Sequence, residues 1–437
     1  MIYLYHFKIY RVFNVDHNDF KEELSETGNP VGIEFEDEDE STLMEPFDPE
    51  KISIEQRVVA METVIRRLKQ GLINLSPAYQ RNEVWDDTRR SRLIESLMLK
   101  IPLPMFYVAA SDNGSWEVVD GLQRLSTIKK FIIEKSQNRL VLKNLEFLGD
   151  KFDKHDYTAL EGQADYPKYL NNLLETELRF TVINPSTPEA VKRNIFKRIN
   201  TGGMPLTLQE IRNALYQGKS TELLFELANS PEFLNTIKTK VNDTRMAARE
   251  LTLRFIAFNL FSYNVYPSFT LDTWLTSSMQ AINLMPLSND SDINLKKIEE
   301  KIGSTLTQSI KVYNVEQLRQ NFTLAMQRAE IIFGKYAFRK IGTNSSKIAP
   351  INRYLFESWS NILVDLSEDD FNKLLDEKEL FEENLNKLNT NFSYVNSIGK
   401  YASQGKYVLY RYKILSYLIR ETIDSNIISL DSNEWTV

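Results

Sequence analysis

Apolar residues in the first half of the chain recur with two different periods, and each change of period marks a change of element. In "EQRVVAMETVIRRLKQG" Val58, Met61, Val64, Ile65 and Leu68 lie on one helical face, and Gly71 supplies a C-terminal stop. Leu93, Ile94, Leu97 and Met98 predict a second helix. "PMFYVAA" and "WEVVDG" predict two strands joined through "SDNGSW", a hairpin turn centred on Asn113-Gly114. In "VVDGLQRLSTIKKF" the second strand ends at Asp120-Gly121, and Leu125, Ile128, Phe131 and Ile132 continue at helical spacing. "ELRFTVIN" predicts a further strand. It leads to Thr187-Pro188, a cap followed by proline at the first helical position, and to a helix through Val191, Ile195 and Ile199. Beyond about residue 215 strand signals become scarce. Segments 219–262, 312–334, 350–365, 369–388 and 407–424 have helical periodicity or composition, with polar loops between them and no fixed-period repeat.

This pattern predicts an α+β chain: a mixed domain over residues 48–218, a helical domain over 219–437, and a leader over 1–47. Charge sets the leader apart. The net charge is −7 over 437 residues, but residues 1–50 hold 14 acidic and 3 basic side chains, so the remainder is mildly basic. The acidic block "EFEDEDE", Glu34 to Glu40, predicts a solvated, mobile leader that could compete with nucleic acid for a basic surface. The opening "MIYLYHFKIYRVF" is interrupted by Lys8 and Arg11, and no apolar run reaches the roughly 18 residues of a membrane span. The expectation is a cytoplasmic protein with no membrane partner. The absence of cysteine excludes disulfides, thiolate catalysis and cysteine-ligated zinc.

Three segments concentrate polar chemistry at turns. At the first helix start, Asp120 and Gln123 have the spacing of a capping pair. Arg124 does not fit that role alone, because a cation in a first turn is unfavourable unless an anion or carboxylate sits nearby. A helix N-terminus is also a natural phosphate site, so a cap and an anion site both remain open for this stretch. In "FKRINTGGMPLTLQEIRNALYQG" Thr207 and Glu210 form a capping box. Before them, Asn200, Gly202 and Gly203 permit either a left-handed turn or close approach of backbone N–H groups to a phosphate, with Arg198 and Arg212 on either side. In "AYQRNEVW" Tyr79 and Trp85 suit packing, while Gln80-Arg81 repeats the Gln-Arg pair of Gln123-Arg124. Guanidinium forks suit oxyanions, and glutamine can order a water or contact a base or sugar.

The order of these three segments resembles the family whose N-terminal domain is shared with the GmrSD type IV restriction enzymes, a ParB/sulfiredoxin-like fold with an Asp-Gly-Gln-Gln-Arg motif. Here the motif stands as Asp120, Gly121, Leu122, Gln123 and Arg124, departing from the pattern at Leu122. Tyr79, Gln80, Arg81 and Trp85 also match, as do Arg198, Ile199, Asn200, Gly202 and Gly203 with the continuation Glu210 to Ala214. The resemblance covers about residues 48–260.

It implies a nucleotide-using domain linked to restriction of foreign DNA, with the Asp-Gly-x-Gln-Arg loop at a triphosphate or phosphodiester. On this basis Arg81 and Arg124 are assigned to phosphate oxygens, Asp120 to a water or Mg²⁺, and Gln80 and Gln123 to orienting that water. Gly121, Arg198, Asn200, Gly202, Gly203 and Arg212 are expected to contact phosphate or ribose. The histidines are His6, His17 and His155, so the C-terminal region holds none for the HNH nuclease centre of the two-part enzymes. The leading expectation is a nucleoside-triphosphate-hydrolysing protein of an anti-phage system acting on or near DNA. The alternatives are a metal-dependent nicking endonuclease using the same pocket, and a nucleotide or modified-DNA sensor controlling a partner nuclease or other defence protein.

Overall fold

Alternation along two short strands builds the core of the mixed region. Phe106 and Val108, with Trp116 and Val118 on the neighbouring strand, point to one face of a sheet, while Ala109 and Val119 point to the other. The computed structural model describes residues 21–24, 30–35, 52–75, 85–135, 137–161, 167–188, 191–192, 195, 207–238, 241, 243–287, 292–340, 348–399 and 401–424. The chain divides into two units, residues 44–215 and residues 1–43 with 216–437.

Among the described residues the strands are β1 (Glu22–Leu24), β2 (Pro30–Glu34), β3 (Ile54–Ala60), β4 (Ile73–Asn74), β5 (Phe106–Ala110), β6 (Trp116–Asp120) and β7 (Glu177–Ile183). The last five form one mixed sheet in the order β3-β7-β5-β6-β4. β3–β7 and β5–β6 are antiparallel, whereas β7–β5 and β6–β4 are parallel. Helices α1 (Met61–Lys69), α2 (Asp87–Met98) and α3 (Leu122–Ile128) bury Val64, Ile94, Leu97, Leu125 and Ile128 in the cluster that contains Phe106, Trp116 and Phe180. The Phe106 and Phe180 rings stack at 5.1 Å. On the opposite face Ile211, from the helix Leu208–Leu215, joins Ala109, Val119 and Ile183. The expected strands, the Asn113-Gly114 turn with Gly114 at φ +79°, and the helix carrying Leu93 to Met98 are all present.

Two expectations change. Residues 55–60, read as the start of a helix, are strand β3, and the helix begins only at Met61. β7 takes the whole strand, Ile54–Ala60, as an antiparallel neighbour through seven consecutive pairs, and such non-local pairing overrides a helical pattern that residues 55–60 carry weakly. The Thr187 hydroxyl is engaged with the N–H and C=O of Ser53, and Lys192 N–H reaches Pro188 O at 2.9 Å, while residues 189–190, whose N–H groups a cap at Thr187 would hold, lie outside the described residues.

The second change concerns the leader, part of which is folded. β1 and β2 form a hairpin in the helical unit, where Ile33 is fully buried and bridges Ile351. The Glu34 carboxylate accepts from Lys340 at 2.7 Å and Asn352 at 2.8 Å, and Arg353 donates to Glu23 at 2.7 Å. Charges that look solvated in sequence are here matched to cations over 300 residues away. The rest of the acidic block, residues 36–40, lies outside the described residues.

From Lys219 onward the second unit is helical. Its long helices Ala247–Leu260, Val315–Phe333, Arg353–Asp365 and Gly405–Ile423 bury Phe255, Phe322, Phe356 and Leu415. A charged centre lies among them, with Glu357 between Arg411 and Arg254, each of the three at most 2% exposed. The whole is an α+β architecture.

Candidate phosphate-handling site

The turn after β6 is built around a glycine. Gly121 sits at φ +96° and ψ +11°, occupies the N-cap position of α3, and its carbonyl accepts from Leu125 N–H at 2.9 Å. A Cβ there would lie 2.3 Å from Phe106 Cδ1 and 2.9 Å from Cε1. Asp120 is therefore the last strand residue, not the cap, and no side chain caps α3. The capping-pair expectation for Asp120 and Gln123 is not met because the left-handed glycine already starts the helix.

Arg124 is turned into the protein. Its guanidinium donates to Asp120 Oδ2 at 2.9 Å, to Met105 O at 3.2 Å and to Pro104 O, and it lies 4.4 Å above the Phe106 ring. Burial pulls the guanidinium below its ordinary pKa and the Asp120 carboxylate acts in the opposite sense. The anion that makes a cation tolerable at this helix start is the protein's own carboxylate. The Asp120 side chain remains 44% exposed, so one face of it is open to solvent.

Gln123 points elsewhere. It lines a cavity of about 420 Å³ together with Ser126, Arg90, Lys129, Lys130 and Arg139, opposed by Glu134. α2 contributes Arg90, and a single π-helical turn, Lys129–Ile133, continues α3 and brings both lysines to the rim. Carboxylates stand behind several of these cations. Asp87 contacts Arg90 at 2.9 Å, Lys143 at 3.4 Å and Lys130 at 3.6 Å, Glu134 is 3.5 Å from Lys129, and Asp156 is 3.7 Å from Arg139. Burial alone would raise the Asp87 pKa. The hydrogen bond from Arg90 and the charges of Lys130 and Lys143 outweigh it and hold the carboxyl below its usual range.

The structure thus brings Asp120, Gly121 and Arg124 together and sets Gln123 beside them on the wall of a cationic cavity. Gln80, Arg81, Arg198, Asn200, Gly202 and Gly203 lie outside the described residues. The Thr207–Glu210 capping box is formed, with Thr207 N–H donating to Glu210 Oε2 at 2.7 Å and Glu210 N–H to Thr207 Oγ1 at 3.1 Å. Arg212 is buried and donates to Gln209 Oε1 at 2.9 Å. Sequence reasoning missed Arg90, Lys129, Lys130 and Arg139. Lys129-Lys130 stands little more than one helical turn beyond the motif and was a visible signal, whereas Arg90 and Arg139 carried none. Among the described residues no group of three or more His, Asp or Glu could hold a metal ion, and no helix is long and apolar enough to cross a membrane.

A strand–glycine turn–helix with an acid–arginine clamp, beside a cation-lined cavity, lies within an α+β domain. Residues 61–217 match the family described as GmrSD restriction endonuclease, N-terminal domain. No curated protein and no solved structure matches the chain.

Proposed function

We propose that the chain is a component of a restriction system acting on DNA, and that its α/β unit binds a nucleoside triphosphate with the phosphates in the cavity beside Gln123. The family match supports the first part. The observation that carries the second is the convergence of Arg90, Lys129, Lys130 and Arg139 on one cavity with a single opposing carboxylate, Glu134. Its volume falls in the range of small-molecule sites, roughly 300–1,000 Å³.

In phosphoryl transfer the protein mainly positions groups and neutralises charge. The lysines and arginines of the wall stabilise the phosphate oxygens, and the Gln123 amide oxygen accepts from a water and orients it. Arg124 acts through the turn: by holding Asp120 and the Pro104 and Met105 carbonyls it fixes the direction in which α3, and so Gln123, leaves the sheet. Gln80 and Arg81 are assigned the same water-orienting and phosphate-binding roles by their match to the family pattern. Asp120 is a lone carboxylate already paired with Arg124, and no step is drawn through a metal.

Titration calorimetry with a non-hydrolysable triphosphate tests the site. Lys129→Ala and Arg139→Ala each remove a charge-assisted contact worth about 1.5–3 kcal/mol, roughly a ten- to hundredfold loss of affinity. Unchanged affinity in both variants, or no triphosphate binding by the parent chain, refutes the proposal. Turnover measured with and without DNA, beside plasmid nicking, then separates a hydrolase from a nicking enzyme and from a sensor that binds without turnover.

A further inference from the structure

β3 is the edge of the five-stranded sheet: β7 lies on one side of it and, among the described residues, no strand lies on the other. Soluble proteins usually blunt such an edge with charged side chains, above all lysine, with proline, a bulge or a very short strand. β3 has no lysine, proline or bulge, and its two charges, Glu55 and Arg57, are paired with each other. Its seven residues hold unbroken register with β7 from Ile54↔Ile183 to Ala60↔Glu177, and Ile54 and Val58 are 42% and 61% exposed.

Two hydrogen bonds at the ends of the ladder fix which main-chain groups point outward. Asn184 N–H donates to Ser53 O and Met61 N–H donates to Thr176 O, both at 2.9 Å. In an antiparallel ladder, residues that bond toward one neighbour alternate with residues that turn N–H and C=O to the opposite side. The odd-numbered residues of β3 therefore bond to β7. Ile54, Gln56, Val58 and Ala60 present their N–H and C=O groups to the open edge.

We propose that β3 is a homodimer interface, in which two copies of the chain pair antiparallel through this strand about a twofold axis at Gln56. In that register Gln56 faces its own counterpart, and Ile54 faces the partner's Val58. All three resulting pairs are of the outward-bonding kind, giving six main-chain hydrogen bonds. On the other side of the sheet Glu55 stands opposite the partner's Arg57. Glu55 and Arg57 already pair within one strand, so the dimer joins two ion pairs into a four-charge cluster. The register is selective. An axis at Glu55 or Arg57 would keep the outward-bonding residues at the new ladder but set that residue opposite its own counterpart, like charge on like charge, and an axis at Ile54 or Val58 would separate Glu55 from Arg57. The partner that fits this edge is a second copy because the strand is complementary to itself in exposed apolar side chains, in charge and in hydrogen-bonding parity at once.

One short strand per subunit makes a reversible dimer, so the test is sedimentation velocity of the full chain over roughly 1–200 µM. A monomer–dimer equilibrium is expected. Val58→Lys places a lysine opposite Ile54 twice, and Gln56→Pro removes the outward N–H at the axis while leaving the bonds to β7. Each should weaken association at least about tenfold. Glu55→Arg should weaken it, and adding Arg57→Glu should restore it. The chain has no cysteine, so Gln56→Cys adds the only thiol. Across the axis the two Cα atoms would lie about 5.5 Å apart, within disulfide range, and oxidation should yield a covalent dimer. Arg57→Cys faces Glu55 and should not cross-link. A chain that stays monomeric throughout, association that survives both Val58→Lys and Gln56→Pro, or equal cross-linking at positions 56 and 57 overturns the proposal. Should Gln56→Pro fail to fold, Val58→Lys and the two cysteine variants decide alone.

Discussion

Replacing Gly121 by alanine is expected to destabilise the α/β unit by about 2–5 kcal/mol, a large part of the 5–15 kcal/mol that holds a typical domain together. Two terms add. At φ +96° an L-residue carries a left-handed backbone cost of about 1–2 kcal/mol. The new Cβ would also stand 2.3 Å from Phe106 Cδ1. That ring cannot step aside, being fully buried, stacked on Phe180 at 5.1 Å and covered by Arg124 at 4.4 Å, so overpacking costs about 1–3 kcal/mol more. Gly114→Ala is the matched control: its φ is +79°, but nothing lies within 4 Å of its Cβ, so only the backbone term applies. Native-state hydrogen exchange reads the local opening free energy of β5, β6 and α3 in both variants without requiring the whole chain to unfold in one step. A loss in Gly121→Ala no larger than in Gly114→Ala would refute the packing role assigned to this glycine.

Arg124→Ala should lower the melting temperature of the ligand-free protein, because it leaves the Pro104 and Met105 carbonyls without their donor at a cost of about 1–3 kcal/mol. An unchanged melt combined with lost triphosphate binding would make Arg124 a phosphate contact instead of a clamp. Ile33→Ala should destabilise the helical unit by about 2–5 kcal/mol in thermal melts, since Ile33 is fully buried there, and no change would mean that the leader hairpin is not docked in solution. Asp87 gives a pH dependence of defined sign. Its folded pKa is depressed, so its contribution is complete above the unfolded value of about 3.9 and is lost as the pH falls through the lower folded value. Asp87→Asn should therefore melt earlier than the parent at pH 7 and converge with it in acid; a gap that persists in acid would rule out this electrostatic origin.

Local sequence was enough wherever a few neighbouring residues decide the outcome. Asn113-Gly114 specified a hairpin because the turn needs a positive φ that glycine adopts without strain. Thr207 and Glu210 announced their reciprocal cap, and the spacing of Leu93, Ile94, Leu97 and Met98 announced the face that α2 buries. The order of the Tyr-Gln-Arg, Asp-Gly-x-Gln-Arg and Arg-Ile-Asn-x-Gly-Gly segments carried the family. Tertiary structure decided what depends on distant partners. Residues 55–60 became a strand because β7, more than 100 residues later, supplied the hydrogen-bonding ladder. Glu23 and Glu34 became anchored because Lys340, Asn352 and Arg353 fold against them. Arg124 was legible as a cation that needed an anion, but only the fold showed that Asp120 and two carbonyls of the preceding segment satisfy it. The cationic cavity was assembled from α2, the π-helical turn and the loop beyond it. Coulombic interactions act between charges close in space, and chain separation leaves no trace of that proximity in the sequence.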